Sequence, residues 1–148
     1  MITYHVEKYE DCIPEIRLLI DEHYDELSVT KEYALDPHWE AYSALAKENL
    51  LQCTTCRKDG VLIGYMFFIL SYNLHYRTML MATEDLYFLK KEERKGLVGI
   101  KLFKFTEKHL KSLNVNRLIV STKVHLDNSR LFEYLKYKFI EKTYSKLL

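Results

Sequence analysis

The chain has 148 residues, 48% of them hydrophobic and 14% aromatic, with only 4 Gly and 2 Pro and a formal net charge of +1. That composition excludes a disordered or low-complexity chain, and the length points to a single domain over residues 1–148 with a proper core. The near-zero charge hides a division: residues 1–89 carry 7 basic and 15 acidic side chains, whereas residues 90–148 carry 15 basic and 6 acidic ones. Such asymmetry speaks to partners, an anionic one for the C-terminal half and a neutral or cationic one for the N-terminal half.

In chain order, Ile2 to Val6 alternates apolar and polar residues and predicts a half-buried strand. An amphipathic helix with Pro14 near its start follows, presenting Ile13, Ile16, Leu19 and Ile20 on one face, with His23 and Leu27 extending it. Asp36-Pro37 punctuates, and Trp39 to Leu50 predicts a second helix with Trp39, Tyr42, Leu45 and Ala46 on its inner side. Leu51 to Arg57 and Val61 to Tyr72 read as strands joined by a Lys58-Asp59-Gly60 turn, the second apolar enough to be a central strand covered on both faces. Thr78 to Leu89 is a further strand with an acidic pair, Glu84 and Asp85, toward its end. Leu97 to Leu113 is the clearest helix, followed by a strand over Arg117 to Lys123. A short helix over Ser129 to Tyr137, capped by Asp127 or Asn128, and a closing strand over Phe139 to Lys146 complete the chain. The order β-α-α-β-β-β-α-β-α-β implies a mixed sheet with helices on both faces, in the α/β or α+β class.

No apolar run approaches the roughly 20 residues that span a bilayer, and the N-terminus lacks the apolar core of a secretory signal. Three cysteines suit a reducing compartment, so the expected location is cytoplasmic. Cys53-Thr-Thr-Cys56 lies in a strand, where its two thiols face opposite ways, and the six histidines show no ligand spacing; no metal is expected.

The chemistry concentrates in Asp85 to Leu102, DLYFLKKEERKGLVGIKL. A strand runs through a basic, glycine-bearing turn directly into a strong helix, whose first amides are unpaired and carry the positive end of the macrodipole. An anion site is one reading of that pattern, and a tight βα corner is the other.

At these residues the chain resembles the GNAT superfamily of acyl-CoA-dependent N-acyltransferases. That family's turn reads Arg or Gln, two residues, Gly, one residue, then Gly or Ala. Here Arg94 and Gly99 match its first and sixth places with Leu97 in the fourth, or Gly96 takes the fourth with Glu93 and Val98 as the flanking positions. The hairpin RKDGVLIGY (Arg57 to Tyr65) and LFEYLKYKFIEKTYSK (Leu131 to Lys146) look like the family's second and third strands and its closing helix and strand. The segments HYR (His75 to Arg77), A-x-x-D (Ala82 to Asp85) and RKGLVGIKL look closest to small members from phages and bacteria.

The resemblance implies a single mixed, mostly antiparallel sheet of GNAT type. It implies acetyl-CoA as co-substrate and direct transfer of its acetyl group to a primary amine, on a small molecule or a protein, in a ternary complex. A V-shaped gap between the strands ending at Leu89 and beginning at Arg117 would take the pantetheine arm along Tyr87, Phe88 and Leu89. Amides of Arg94, Lys95, Gly96, Leu97, Val98 and Gly99 would hold the pyrophosphate, with Asn128 nearby. The proton acceptor would be Glu84 or Asp85, with His75 and Tyr76 second. The family's small-helix tyrosine, which protonates the departing thiolate, is replaced by Phe132, and Lys136 stands where Gly is usual; Tyr134 is the remaining candidate acid. The acceptor would approach over the first two helices and the His75 loop. From a different class, a catalytically inactive GNAT-like fold acting as a CoA-binding or host-interaction protein is the alternative, and an acyl donor other than acetyl-CoA is a further one. The lysines at 101, 104, 108 and 111 read as a solvated helix face or as attraction for CoA phosphates, with nucleic acid the less favoured partner. Edge strands and 12 tyrosines make a homodimer plausible.

Overall fold

The computed structural model describes residues 1–29 and 32–148. Its elements are β1 (Ile2–Glu7), α1 (Tyr9–Leu27), α2 (Trp39–Lys47), β2 (Leu51–Lys58), β3 (Val61–Tyr72), β4 (Leu80–Leu89), α3 (Val98–Ser112), β5 (Arg117–Ile119) and α4 (Ser129–Tyr134), with a single 3-10 turn at Lys91–Glu93. The strands lie in the order β1-β2-β3-β4-β5 in one sheet. Neighbours are antiparallel except β4 and β5, which are parallel. This is the mixed, mostly antiparallel α+β architecture expected.

The helices cover opposite faces because the strand residues alternate. On one face Cys12, Ile13 and Ile16 of α1 pack against Leu62, Tyr65 and Phe67 of β3, with Trp39, Tyr42 and Leu45 of α2 at the margin. On the other, Leu102, Phe103 and Leu110 of α3 and Phe132 of α4 meet Met66, Phe68 and Leu70. β3, buried from Leu62 to Phe68, is the doubly covered strand that its apolar run predicts. Cys53 belongs to the first core and Cys56 to the second, as strand alternation requires. The β2–β3 hairpin turns on Asp59 (φ 51°) and Gly60 (φ 86°), the two positive values a type I′ turn demands. Arg57 then ties this hairpin to β1 and α1, with its Nε 2.8 Å from Glu7 Oε1 and an Nη atom 2.7 Å from Glu15 Oε1.

Two strand expectations are corrected, and two helix starts are sharpened. α1 begins at Tyr9, so Pro14 lies inside the helix, where its missing N–H removes one i→i−4 bond. β5 pairs with β4 only from Arg117 to Ile119, not to Lys123. The Asn128 side chain makes no cap on α4, while Asp127 Oδ1 accepts from the Ser129 amide at 2.9 Å. Phe139 to Lys146 forms no strand: it is exposed along its length. A strand needs a neighbouring ladder, and β5 ends before offering one. Among the described residues, no helix is long and apolar enough to cross a membrane.

Candidate active site

The site begins with a fault in β4. Phe67 pairs with Leu86 and Phe68 with Glu84, which leaves Asp85 as the extra residue of a β-bulge. Its effect is visible in the cores. Ala82 belongs to the α3–α4 face, yet Phe88, six residues on, belongs to the α1–α2 face, while Tyr87 and Leu89 join the α3–α4 side. Unbroken alternation would put Ala82 and Phe88 on the same face. The bulge also falls where β4 and β5 part, just beyond the last pair, Thr83 and Ile119. Past that point the chain after β5 diverges and a cleft opens.

The cleft has a volume of about 150 Å³. Its β4 wall consists of Glu84, Asp85, Tyr87, Phe88 and Leu89, and Ser121, Thr122, Lys123 and Asn128 lie opposite. His23 and Glu26 of α1 and Arg94 of the β4–α3 turn close its end. Seven residues expected at a site are thus brought together: Glu84, Asp85, Tyr87, Phe88, Leu89, Arg94 and Asn128.

The two acids differ in environment. Asp85 is exposed, and its Oδ2 accepts a hydrogen bond from Tyr42 Oη of α2 at 2.5 Å. Burial and that carboxylate together push the Tyr42 hydroxyl well above the usual phenol range. Glu84 is half-buried, and its Oε2 has no hydrogen-bond partner among the described residues. Burial pushes its carboxyl up to about 8; the Lys123 charge opposes this rise and Asp85 adds to it. A carboxyl that titrates near neutrality is suited to receive and release a proton.

Arg94 is already engaged. Its guanidinium forms a two-pronged ion pair with Glu26, and its Nε donates to the Leu89 carbonyl at 2.7 Å. That carbonyl is therefore occupied, and Arg94 fastens the end of α1 to the β4–α3 turn. The anion-binding elements left to this turn are backbone groups. No side chain caps α3, whose first amides have no intrahelical acceptor. Gly96 has the positive φ of 61° that lets the turn close, and Gly99 faces Tyr87: a Cβ added there would stand 3.1 Å from the Tyr87 hydroxyl. Lys95, Gly96, Leu97, Val98 and Gly99 thus sit at the start of α3 beside the cleft rather than lining it.

Two candidates are not brought in. His75 is exposed in the β3–β4 loop, where its amide bonds Asn73 Oδ1, at the opposite end of β4 from the cleft. Tyr134 is 58% exposed on α4, with Lys104 Nζ 5.9 Å from its ring centre. Phe132 is buried against Phe103 and Tyr137 instead.

His23, Glu26 and Lys123 also line the cleft and were not among the candidate site residues. His23 Nδ1 is 2.8 Å from Tyr65 Oη, and burial pushes its imidazole down to about 4, so it is neutral in the folded chain. The signal available for it was its place on the inner stripe of α1.

The same architecture recurs in solved structures. A ribosomal-protein-alanine N-acetyltransferase from Brucella melitensis superposes with a TM-score of 0.76 at 13% identity, over 100% of this chain and 98% of that one. A predicted acetyltransferase from Clostridium acetobutylicum, solved with acetyl-CoA, gives 0.74 at 8% identity, over 99% and 96%. This chain has the GNAT acetyltransferase fold. A transcriptional regulator from Bacillus halodurans matches as well, at a TM-score of 0.76 and 15% identity over the whole of both chains, so the GNAT fold occurs under more than one functional name. No family model matches the sequence, and neither does any curated protein.

Proposed function

We propose that the protein is an N-acetyltransferase that carries the acetyl group of acetyl-CoA to a primary amine. The observation that carries this reading is the gap between β4 and β5. It holds the Glu84 carboxyl, whose buried Oε2 has no hydrogen-bond partner among the described residues, and lies beside the uncapped N-terminus of α3. A pantetheine arm would run along Tyr87 to Leu89 at this gap, and the α3 amides with Lys95 suit a pyrophosphate. Acetyl-CoA, when bound, supplies a thioester whose C–S bond breaks as the new amide forms.

The protein's own part is proton handling and placement. An amine arrives as ammonium and must shed a proton before its lone pair can attack. The ionised fraction of Glu84, which grows as pH rises toward 8, accepts that proton and returns it to solvent, and the second proton of the ammonium leaves with the CoA thiol. Tyr42 holds the Asp85 carboxylate in place beside this step.

Thermal denaturation with acetyl-CoA at about 100 times its Kd should raise Tm by roughly 5–10 °C for a chain of this size. Glu84→Gln should retain that shift and lose turnover. No shift at millimolar acetyl-CoA would overturn the reading. A shift without turnover of any amine would favour a CoA-binding protein with an inactive site, a reading that the absence of an α4 tyrosine from the cleft also favours.

A further inference from the structure

A second and larger cavity, about 350 Å³, opens between α1, the segment before α2, and β4. Its walls are mainly aromatic and aliphatic: Tyr24, Tyr33, Trp39, Tyr42, Leu35 and Leu86. Among the described residues its lining includes one charged side chain, Asp36, and no basic one. The basic group found at these rings, Arg17, stacks on the Trp39 indole at 4.9 Å without lining the cavity. The surrounding chain is strongly acidic, with seven carboxylates and one lysine between Asp21 and Glu40.

The two cavities adjoin along β4. Leu86 lines the larger one and Asp85 the cleft, and the Tyr42 hydroxyl, from the larger cavity, donates to Asp85 at 2.5 Å. A molecule seated against Trp39 and Tyr42 would therefore place a charged end at Asp85, next to Glu84.

We infer that this cavity takes the acceptor, and that the acceptor is a small primary amine on an aromatic or aliphatic body without an anionic group; the inference rests on the acetyltransferase reading for the fate of that amine. Apolar walls suit an apolar body, and a cavity of this size is at the small end of ligand sites. The aromatic faces and carboxylates attract a cation, whereas a phosphate or carboxylate on the acceptor would meet Asp36 and no basic side chain among the described lining residues.

Trp39 is the chain's single tryptophan, so its fluorescence reports on this cavity directly. The test is a titration without acetyl-CoA, using 2-phenylethylamine, its neutral analogue 2-phenylethanol, and glucosamine 6-phosphate. The amine should give a saturable change at least tenfold tighter than the alcohol, and the phosphorylated amine none. Ala34→Lys, which adds a cation to the lining at an exposed position, should weaken amine binding by at least tenfold and leave acetyl-CoA binding unchanged. No saturable change with 2-phenylethylamine, equal binding of glucosamine 6-phosphate, or indifference to Ala34→Lys would each overturn the inference. Because the readout involves neither cofactor nor turnover, its failure is separate from failure to bind acetyl-CoA, which would overturn the acetyltransferase reading instead.

Discussion

Replacing Glu84 by glutamine should stabilise the protein, and increasingly so as the pH rises. Folding raises this carboxyl from an ordinary value of 4.5 to about 8, chiefly through burial. Between those values the folded chain holds a proton that the unfolded chain has released, so stability falls as pH increases through the window. Each unit of separation corresponds to about 1.4 kcal/mol. Integrated to pH 7 the cost is about 3 kcal/mol, and solvent contact at a half-buried carboxyl discounts it to about 2 kcal/mol. Glutamine keeps the size and cannot titrate. Urea denaturation of both proteins from pH 4.5 to 8.5 should give similar stabilities at the acid end. The variant should be ahead by about 2–3 kcal/mol at the alkaline end, or roughly 4–12 °C in Tm. Parallel stability curves across that range would refute the placement of an unpartnered carboxyl in the cleft. An ordinary, solvated Glu84 would produce that result.

Three further outcomes follow from the same geometry. Arg57→Ala should cost about 3 kcal/mol by urea denaturation, because it leaves Glu7, 16% exposed, without its guanidinium. Arg57 holds the Glu7 carboxyl below the usual range, so this stabilisation is present above about pH 4.5 and lost as pH falls through the lowered folded value; the two proteins should converge in acid. Cys12, Cys53 and Cys56 are buried, and burial pushes Cys56 up to about 11, so a thiol reagent should modify none of them until denaturant is added. His75→Ala and Tyr134→Phe should each leave amine acetylation within about twofold of the parent in kcat/KM, since neither side chain lines the cleft.

The fold was largely legible because its signals are local. Asp59-Gly60 marks a I′ turn through chemistry confined to two residues, and β3 declares itself by an apolar run bounded by that turn. The stripe of Leu102, Phe103, Thr106 and Leu110 predicts α3 to within a residue at each end. What the sequence could not reveal depends on distant partners. Arg94 meets Glu26 across 68 positions, and no local pattern says that a basic turn residue is already paired. Both adjacent acids, Glu84 and Asp85, line the cleft, at the bulge in β4. Which one lacks a partner depends on α2 bringing Tyr42 to Asp85, and on nothing equivalent reaching Glu84. Phe139 to Lys146 failed for a related reason: β propensity is a property of the segment, whereas a strand is a property of a pair.

The division of charge along the chain becomes a division across the sheet. The acidic half supplies α1 and α2 on one face, and the basic half supplies α3 on the other, with Lys101, Lys104, Lys108 and Lys111 exposed on its outer side. The halves meet at the cleft, where Arg94 of one is bonded to Glu26 of the other. Charges of opposite sign on two faces of one sheet would favour reactants of opposite charge on the two sides of the gap between β4 and β5. Glu84 and Lys123 sit within that gap, one from each half of the chain. In the proposed reaction an anionic donor and a cationic acceptor must reach the same few ångströms from different sides. The acidic surround of the aromatic cavity and the α3 amides with Lys95 would then act on different reactants, and each would repel the other's ligand. In that proposed arrangement the charge boundary at Leu89, where β4 ends and the turn into α3 begins, would divide the donor side from the acceptor side.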